Sequence, residues 1–196
     1  MPRLVVYSDY VCPFSYLAEA GLARLRTEEG LEVEYRPFEL RPAPAPLPDP
    51  ADPALAESWE RTILPLAETL GVEIRRPRVE PRSRKAHEAA AFAREKGVFP
   101  AMHDALFRAF FRDGRDIGRI DVLVELGVEL GLDRTETRVV LDVDRYAPEV
   151  EAAELEAVRR GILGVPTFVA GDDELVGLQP YSVLRAWVRG ESDDGT

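Results

Sequence analysis

Leu4-Val5-Val6-Tyr7-Ser8-Asp9-Tyr10-Val11-Cys12-Pro13-Phe14-Ser15-Tyr16 sets an apolar run, a polar stop and a cysteine directly before a proline. Residues 4–7 read as a buried strand ended by Ser8-Asp9. Pro13 suits the first turn of a helix, and Leu17, Ala20, Gly21 and Leu25 continue it at helical spacing to about Gly30. Cys12, the one cysteine of the chain, therefore stands where strand hands over to helix. A sulfur there faces the unpaired N–H groups and the positive end of the helix dipole, and both favour the thiolate. The expectation is a lowered thiol pKa. Ser15 takes the place of the second cysteine in a C-x-x-C redox motif, so chemistry at this turn runs on a single sulfur.

Outward from that turn, residues 31–39 alternate Val33, Tyr35 and Pro37 against Glu32, Glu34 and Arg36. They read as a second strand, which closes a β-α-β unit with a right-handed crossover. Pro42, Pro44, Pro46, Pro48, Pro50 and Pro53 then make residues 41–53 an extended connector. From 54 to about 144 the spacing is helical. Residues 54–70 place Trp59, Ile63, Leu66 and Leu70 on one face, with a kink at Pro65. Residues 83–96 start on Ser83 as N-cap, and 100–113 carry Met102, Leu106, Phe107, Phe110 and Phe111. Helices over 120–130 and 133–143 follow, the latter opened by an Asp133/Glu136 capping box.

The pattern changes again after 144. Residues 148–160 form a helix between Pro148 and Gly161. Strands at 167–170 and 174–178 make a hairpin through Gly171-Asp172-Asp173, and 181–189 form a last helix. Residues 191–196 are expected to fray. With the helical block removed, a four-stranded sheet with helices on both faces remains. The fold class is α/β, a thioredoxin-like fold (β-α-β … α-β-β-α) with an all-helical insertion. Residues 1–45 and 146–196 form the thioredoxin-like domain, and 46–145 the inserted subdomain.

The bulk numbers narrow the function. A chain of 196 residues, 45% hydrophobic and 31% charged, is an ordinary globular composition. A net charge of -11 argues against nucleic acid and against anionic membrane surfaces as partners. One cysteine forms no internal disulfide. The apolar start meets Ser8-Asp9 before a signal-peptide core is reached, and no run approaches the ~20 apolar residues of a membrane span. Cytoplasmic localisation is expected.

Each candidate site residue has a plainer alternative. Free cysteines are usually buried and inert, but a cysteine before Pro13 at a strand-to-helix junction is presented at the sheet edge. Pro13 and Phe14 are a helix-start proline and a half-buried aromatic that also fix the turn. Ser15, three residues after Cys12, is either a small helix residue or a hydroxyl donor to the thiolate. Val165-Pro166 opens the strand at 167. It is a trans strand-initiating pair or, as favoured here, a cis bond that turns the Val165 backbone toward Cys12 for strand-like pairing with a substrate. His87 reads first as a structural helix-face histidine and second as a site residue; His103 is a weaker candidate, and no spacing suggests a metal site. The arginine-rich stretch 75–85, Arg84 included, reads as a solvated run, with a cradle for anionic carboxylates as the alternative. Asp9 reads as a turn residue rather than a base.

Taken together, residues 7–16, Arg84-Lys85-Ala86-His87, Ala105-Leu106-Phe107 with Asp116-Ile117, and Gly161-Ile162-Leu163-Gly164-Val165-Pro166-Thr167-Phe168 with Gly177-Leu178-Gln179-Pro180 resemble the DsbA-like oxidoreductases of the FrnE type. These share ancestry with 2-hydroxychromene-2-carboxylate isomerases and kappa-class glutathione transferases. The resemblance covers nearly the whole chain and implies a site at Cys12 to Ser15 facing cis-Pro166. Phe14 and Ser15 depart from the Cys-Pro-Trp-Cys usual in the first branch, and Cys12 from the serine usual in the second. Two enzymatic expectations follow. Cys12 is the nucleophile of monothiol thiol–disulfide exchange on a peptide or small-molecule substrate; or the protein is an isomerase or transferase using glutathione or another low-molecular-weight thiol. No tightly bound cofactor is expected, and a non-catalytic thiol-binding module is the third reading. Oligomeric state stays open between monomer and homodimer.

Overall fold

The computed structural model describes residues 3–191; the expectation of a frayed tail at 192–196 lies outside them. The chain opens with β1 (Arg3–Ser8), α1 (Pro13–Glu29) and β2 (Glu32–Pro37). The helical block follows as α2 (Pro53–Ser58), a π turn (Trp59–Ile63), α3 (Leu64–Leu70), α4 (Arg84–Glu95), α5 (Phe99–Phe111), α6 (Ile120–Glu129) and α7 (Arg134–Asp142). The chain returns through α8 (Ala147–Arg160), β3 (Thr167–Ala170), β4 (Asp173–Val176) and α9 (Tyr181–Val188). The four strands form one mixed sheet in the order β2-β1-β3-β4, with β1 parallel to β2 and antiparallel to β3. The fold is α/β and thioredoxin-like, with a helical insertion between β2 and α8.

Alternation along β1 explains why helices cover both faces. Leu4 and Val6 pack with Ala18, Leu22 and Leu25 of α1, Phe168 of β3 and Leu184 of α9. Val5 and Tyr7 face the other way, toward Ala157 of α8, Ile162 and Val169. A larger core inside the helical block joins Trp59, Phe92, Met102, Phe107, Phe110, Phe111 and Leu141, and it extends to Tyr10 and Leu17. Those two residues flank Cys12, so the site turn is wedged between the sheet and the block.

Local chemistry corrects several expectations. Pro65 has no N–H, and the chain responds by widening one turn, with the Leu64 N–H bonded to the Trp59 carbonyl. The extra residue rotates the face that follows: Ala67 goes inward, and Leu70 is 39% exposed rather than buried. Ser83 sits at the N-cap of α4 but has helical dihedrals and no side-chain capping bond. Asp133 does cap α7, accepting the Glu136 N–H at 2.8 Å. Glu136 pairs with Lys96. Strand β4 is shorter than expected, because Gly177 turns away at φ 82° while its N–H bonds the Pro166 carbonyl. The proline-rich connector is tied down by Arg82, which donates to the carbonyls of Arg41 and Ala45 at 2.8 and 2.9 Å.

Candidate functional site around Cys12

The turn that presents Cys12 is built by its backbone. The Cys12 N–H bonds the Asp9 carbonyl at 3.0 Å, and the Cys12 carbonyl accepts the Tyr16 N–H at 3.1 Å, starting α1. Pro13 occupies the first helical turn. Opposite stands the Val165–Pro166 peptide bond, which is cis as the sequence suggested. Cys12 Sγ donates to the Val165 carbonyl at 3.4 Å. A sulfur donating to a carbonyl is a thiol, and Cys12 is free and only 3% exposed.

Burial therefore pushes the Cys12 thiol up, against the expectation of a lowered pKa. The Ser15 and Phe14 N–H groups and the Ser15 hydroxyl do act in the anticipated direction, and the Asp9 charge opposes them. Desolvation outweighs the helix start. The Ser15 hydroxyl is itself buried with no hydrogen-bond partner, a donor left idle while Cys12 is protonated. Phe14 is half-buried against the insertion core.

Behind the turn lies a polar cluster that the sequence did not reveal. Asp9 is fully buried: its Oδ2 accepts the Leu40 N–H at 2.7 Å, and its Oδ1 lies 3.3 Å from His87 Nε2. That approach is too poorly aligned to be a hydrogen bond, so His87 Nε2 remains unpaired within electrostatic reach of the carboxylate. The Tyr10 hydroxyl lies 3.1 Å from His103 Nδ1, and His103 Nε2 lies 3.3 Å from Glu19. Burial works against the Glu19 anion, but His103, the Tyr35 hydroxyl and Arg26 outweigh it and hold the carboxyl below its usual range. Ser8, Tyr10, His87 and His103 supply polar groups to a cavity also lined by Ala90, Ala91, Phe99 and Val150, with room for about one water molecule and too small for a substrate. One sequence signal pointed here: His87 and His103 sit on the buried, small-residue or aromatic faces of α4 and α5.

Arg84 is not a free cradle for substrate. Its guanidinium is taken up by Glu39, Glu151 (2.9 Å) and Glu154 (3.4 Å). Lys85 is likewise engaged by Glu88 and Asp144. The structure thus brings Cys12, Ser15, Val165 and Pro166 together, puts His87 beside Asp9 behind them, and spends Arg84 on an internal ion cluster. Among the described residues no group of three His, Cys, Asp or Glu is arranged to hold a metal ion. No helix there is long and apolar enough to cross a membrane.

A four-stranded mixed sheet, a helical insertion and a cysteine facing a cis-proline define a thioredoxin-fold thiol protein. The chain belongs to the DSBA-like thioredoxin domain family, whose model matches residues 3–188. It is 40% identical over 198 residues to the uncharacterized protein YwbO of Bacillus subtilis, covering 96% of each chain. It is 24% identical to the 2-hydroxychromene-2-carboxylate isomerase of Pseudomonas sp. strain C18, over 96% of this chain and 91% of that one. Among solved structures it is similar to the probable DsbA oxidoreductase SCO1869 of Streptomyces coelicolor, with a TM-score of 0.84 and 31% identity, covering 100% of this chain and 92% of that one.

Proposed function

We propose that the protein is a thiol–disulfide exchange enzyme of monothiol type that works in the reducing direction. The observation that carries this reading is the environment of its single sulfur: Cys12 is a buried thiol, hydrogen-bonded to Val165 across the gap to cis-Pro166, with its anion disfavoured by burial more than the helix start favours it. A cysteine whose thiolate is poorly stabilised is a strong nucleophile once ionised and gains free energy on forming a mixed disulfide, which biases it toward attack on a substrate disulfide. Reduction of substrate disulfides is the direction this favours.

In the first step Cys12 loses its proton to solvent. The thiolate attacks one sulfur of a substrate disulfide, forming a Cys12 mixed disulfide and expelling the other sulfur as a thiolate. An external thiolate then attacks the Cys12-bound partner's sulfur and regenerates the Cys12 thiolate, so the external thiol is oxidised and the substrate reduced. The Ser15 hydroxyl, idle in the resting state, donates to the anion. The Val165 backbone holds the substrate chain. Low-molecular-weight thiol such as glutathione serves as the resolving partner, which fits a reducing compartment such as the cytoplasm.

A second reading is favoured by one observation: the resting Cys12 is a hydrogen-bond donor. Such a donor suits an isomerase or transferase in which a small thiol's sulfur is steadied rather than attacked. The test is turnover of a glutathionylated peptide by reduced glutathione. Exchange predicts release of the peptide thiol by the native protein and background rate for Cys12→Ser. Equal rates for both proteins overturn it, and tight binding of reduced glutathione without turnover supports the second reading.

A further inference from the structure

The arginine-rich stretch singled out in the sequence divides in two in the structure. Arg82, Arg84 and Lys85 are consumed internally, whereas Arg75, Arg76 and Arg78 meet Arg112 around a cleft of about 300 Å³. We propose that this cleft is a binding site for a small multivalent anion of the phosphate or polycarboxylate class.

Its walls are fixed by backbone and burial. Ile74 and Pro77 are buried, which leaves Arg75, Arg76 and Arg78 directed outward. The Arg75 N–H bonds the Phe111 carbonyl at 2.7 Å, which fastens the 74–78 strap to the end of α5. The opposite wall turns back at Gly114, with φ 67°, and is held by the Arg112 and Asp113 N–H groups on the Arg108 carbonyl.

Charge decides what such a cleft accepts. Four guanidinium groups line it against one carboxylate, that of Asp113. Glu73 offsets part of this by pairing with Arg112 at 2.6 Å and Arg75 at 3.4 Å. Arg76 and Arg78 make no salt bridge among the described residues, though the Glu80 carboxyl lies within electrostatic reach of Arg76, in a chain with 36 acidic and 25 basic residues. Where acids outnumber bases and most arginines form a salt bridge, two guanidiniums that line one cleft without one leave donors free to fork onto phosphate or carboxylate oxygens. Guanidiniums on more than one wall of the cleft favour a ligand with two or more charges, since each can then hold a separate anionic group.

The cleft shares no lining residue with the Cys12 turn, and its primary readout does not depend on Cys12 chemistry. Thermal unfolding of the full chain is followed with pyrophosphate, with citrate, and with sodium chloride at matched ionic strength. At saturation, pyrophosphate or citrate raises Tm by about 2–5 °C over the chloride control, and the ligand that does so separates a phosphate-bearing from a polycarboxylate source. The Arg76→Gln/Arg78→Gln double variant, altered only at exposed side chains, keeps its Tm in chloride and its Cys12 alkylation rate but loses the shift. No shift with either anion, or an undiminished shift in the variant, overturns the proposal.

Discussion

At Cys12 the Phe14 and Ser15 N–H groups and the Ser15 hydroxyl favour the anion, while burial and the Asp9 carboxylate oppose it. Because burial is the largest of these, alkylation of Cys12 by iodoacetamide at pH 7 should be slower than that of a free thiol. The rate should climb through and beyond pH 9, following the thiolate fraction; a plateau reached below pH 8 would contradict the assignment. Ser15→Ala removes one donor to the charged sulfur, and such a bond is worth about 1.5–3 kcal/mol. Alkylation at a fixed pH should fall roughly tenfold, whereas a purely structural Ser15 would move Tm and leave the pH profile alone. Cys12, Ser15 and the bond before Pro166 were legible because each is a residue type with one strong local use at a strand or helix end. Asp9 and His87 were not, since they stand 78 positions apart and only the packing of α4 beneath the site turn brings them together. The sign of the Cys12 shift was also out of reach: sequence reveals a helix start but not how completely the insertion shuts water out.

Capping and close approach set the elements that carry the site. Asp133→Ala deletes the α7 cap and should cost about 1 kcal/mol, read as a lowered denaturation midpoint with an unchanged m-value. Gly118→Ala is expected to cost more, about 1–3 kcal/mol. An added Cβ would lie 2.8 Å from the Pro81 Cβ and 3.2 Å from the Arg82 carbonyl, pressing on the segment that ties down the proline connector. A Gly118→Ala protein as stable as the native one would contradict that close approach. Helix positions followed from apolar spacing and from Pro and Gly punctuation at their ends. The π turn did not, because Pro65 announces a disturbed helix without saying whether the chain kinks or takes in an extra residue. That choice decides whether Leu70 or Ala67 faces inward.

Across the whole molecule, the sheet and the insertion are joined by an ion cluster in which Glu39 from beyond β2 and Glu151 and Glu154 of α8 converge on Arg84. Burial and the Glu39 charge push the Glu154 carboxyl up to about 7, with Arg84 opposing. The folded protein thus holds a proton that the unfolded chain releases near 4.5. The resulting stability is complete below that value and lost as pH rises toward 7. Glu154→Gln should therefore raise Tm relative to the native protein at pH 8, with the gain shrinking toward pH 5; a gain independent of pH would remove the proton from the explanation. Sequence order alone indicated that β1, β2, β3 and β4 reassemble around a helical insertion, but not that three acids would claim Arg84. The claim on which the functional reading rests is that Cys12 attacks sulfur. Intact-mass measurement after incubation with oxidised glutathione tests it most directly: one glutathione adduct on the native protein, reversed by excess thiol and absent from Cys12→Ser, is predicted. A native protein that takes up no adduct while its Cys12 still alkylates would contradict it.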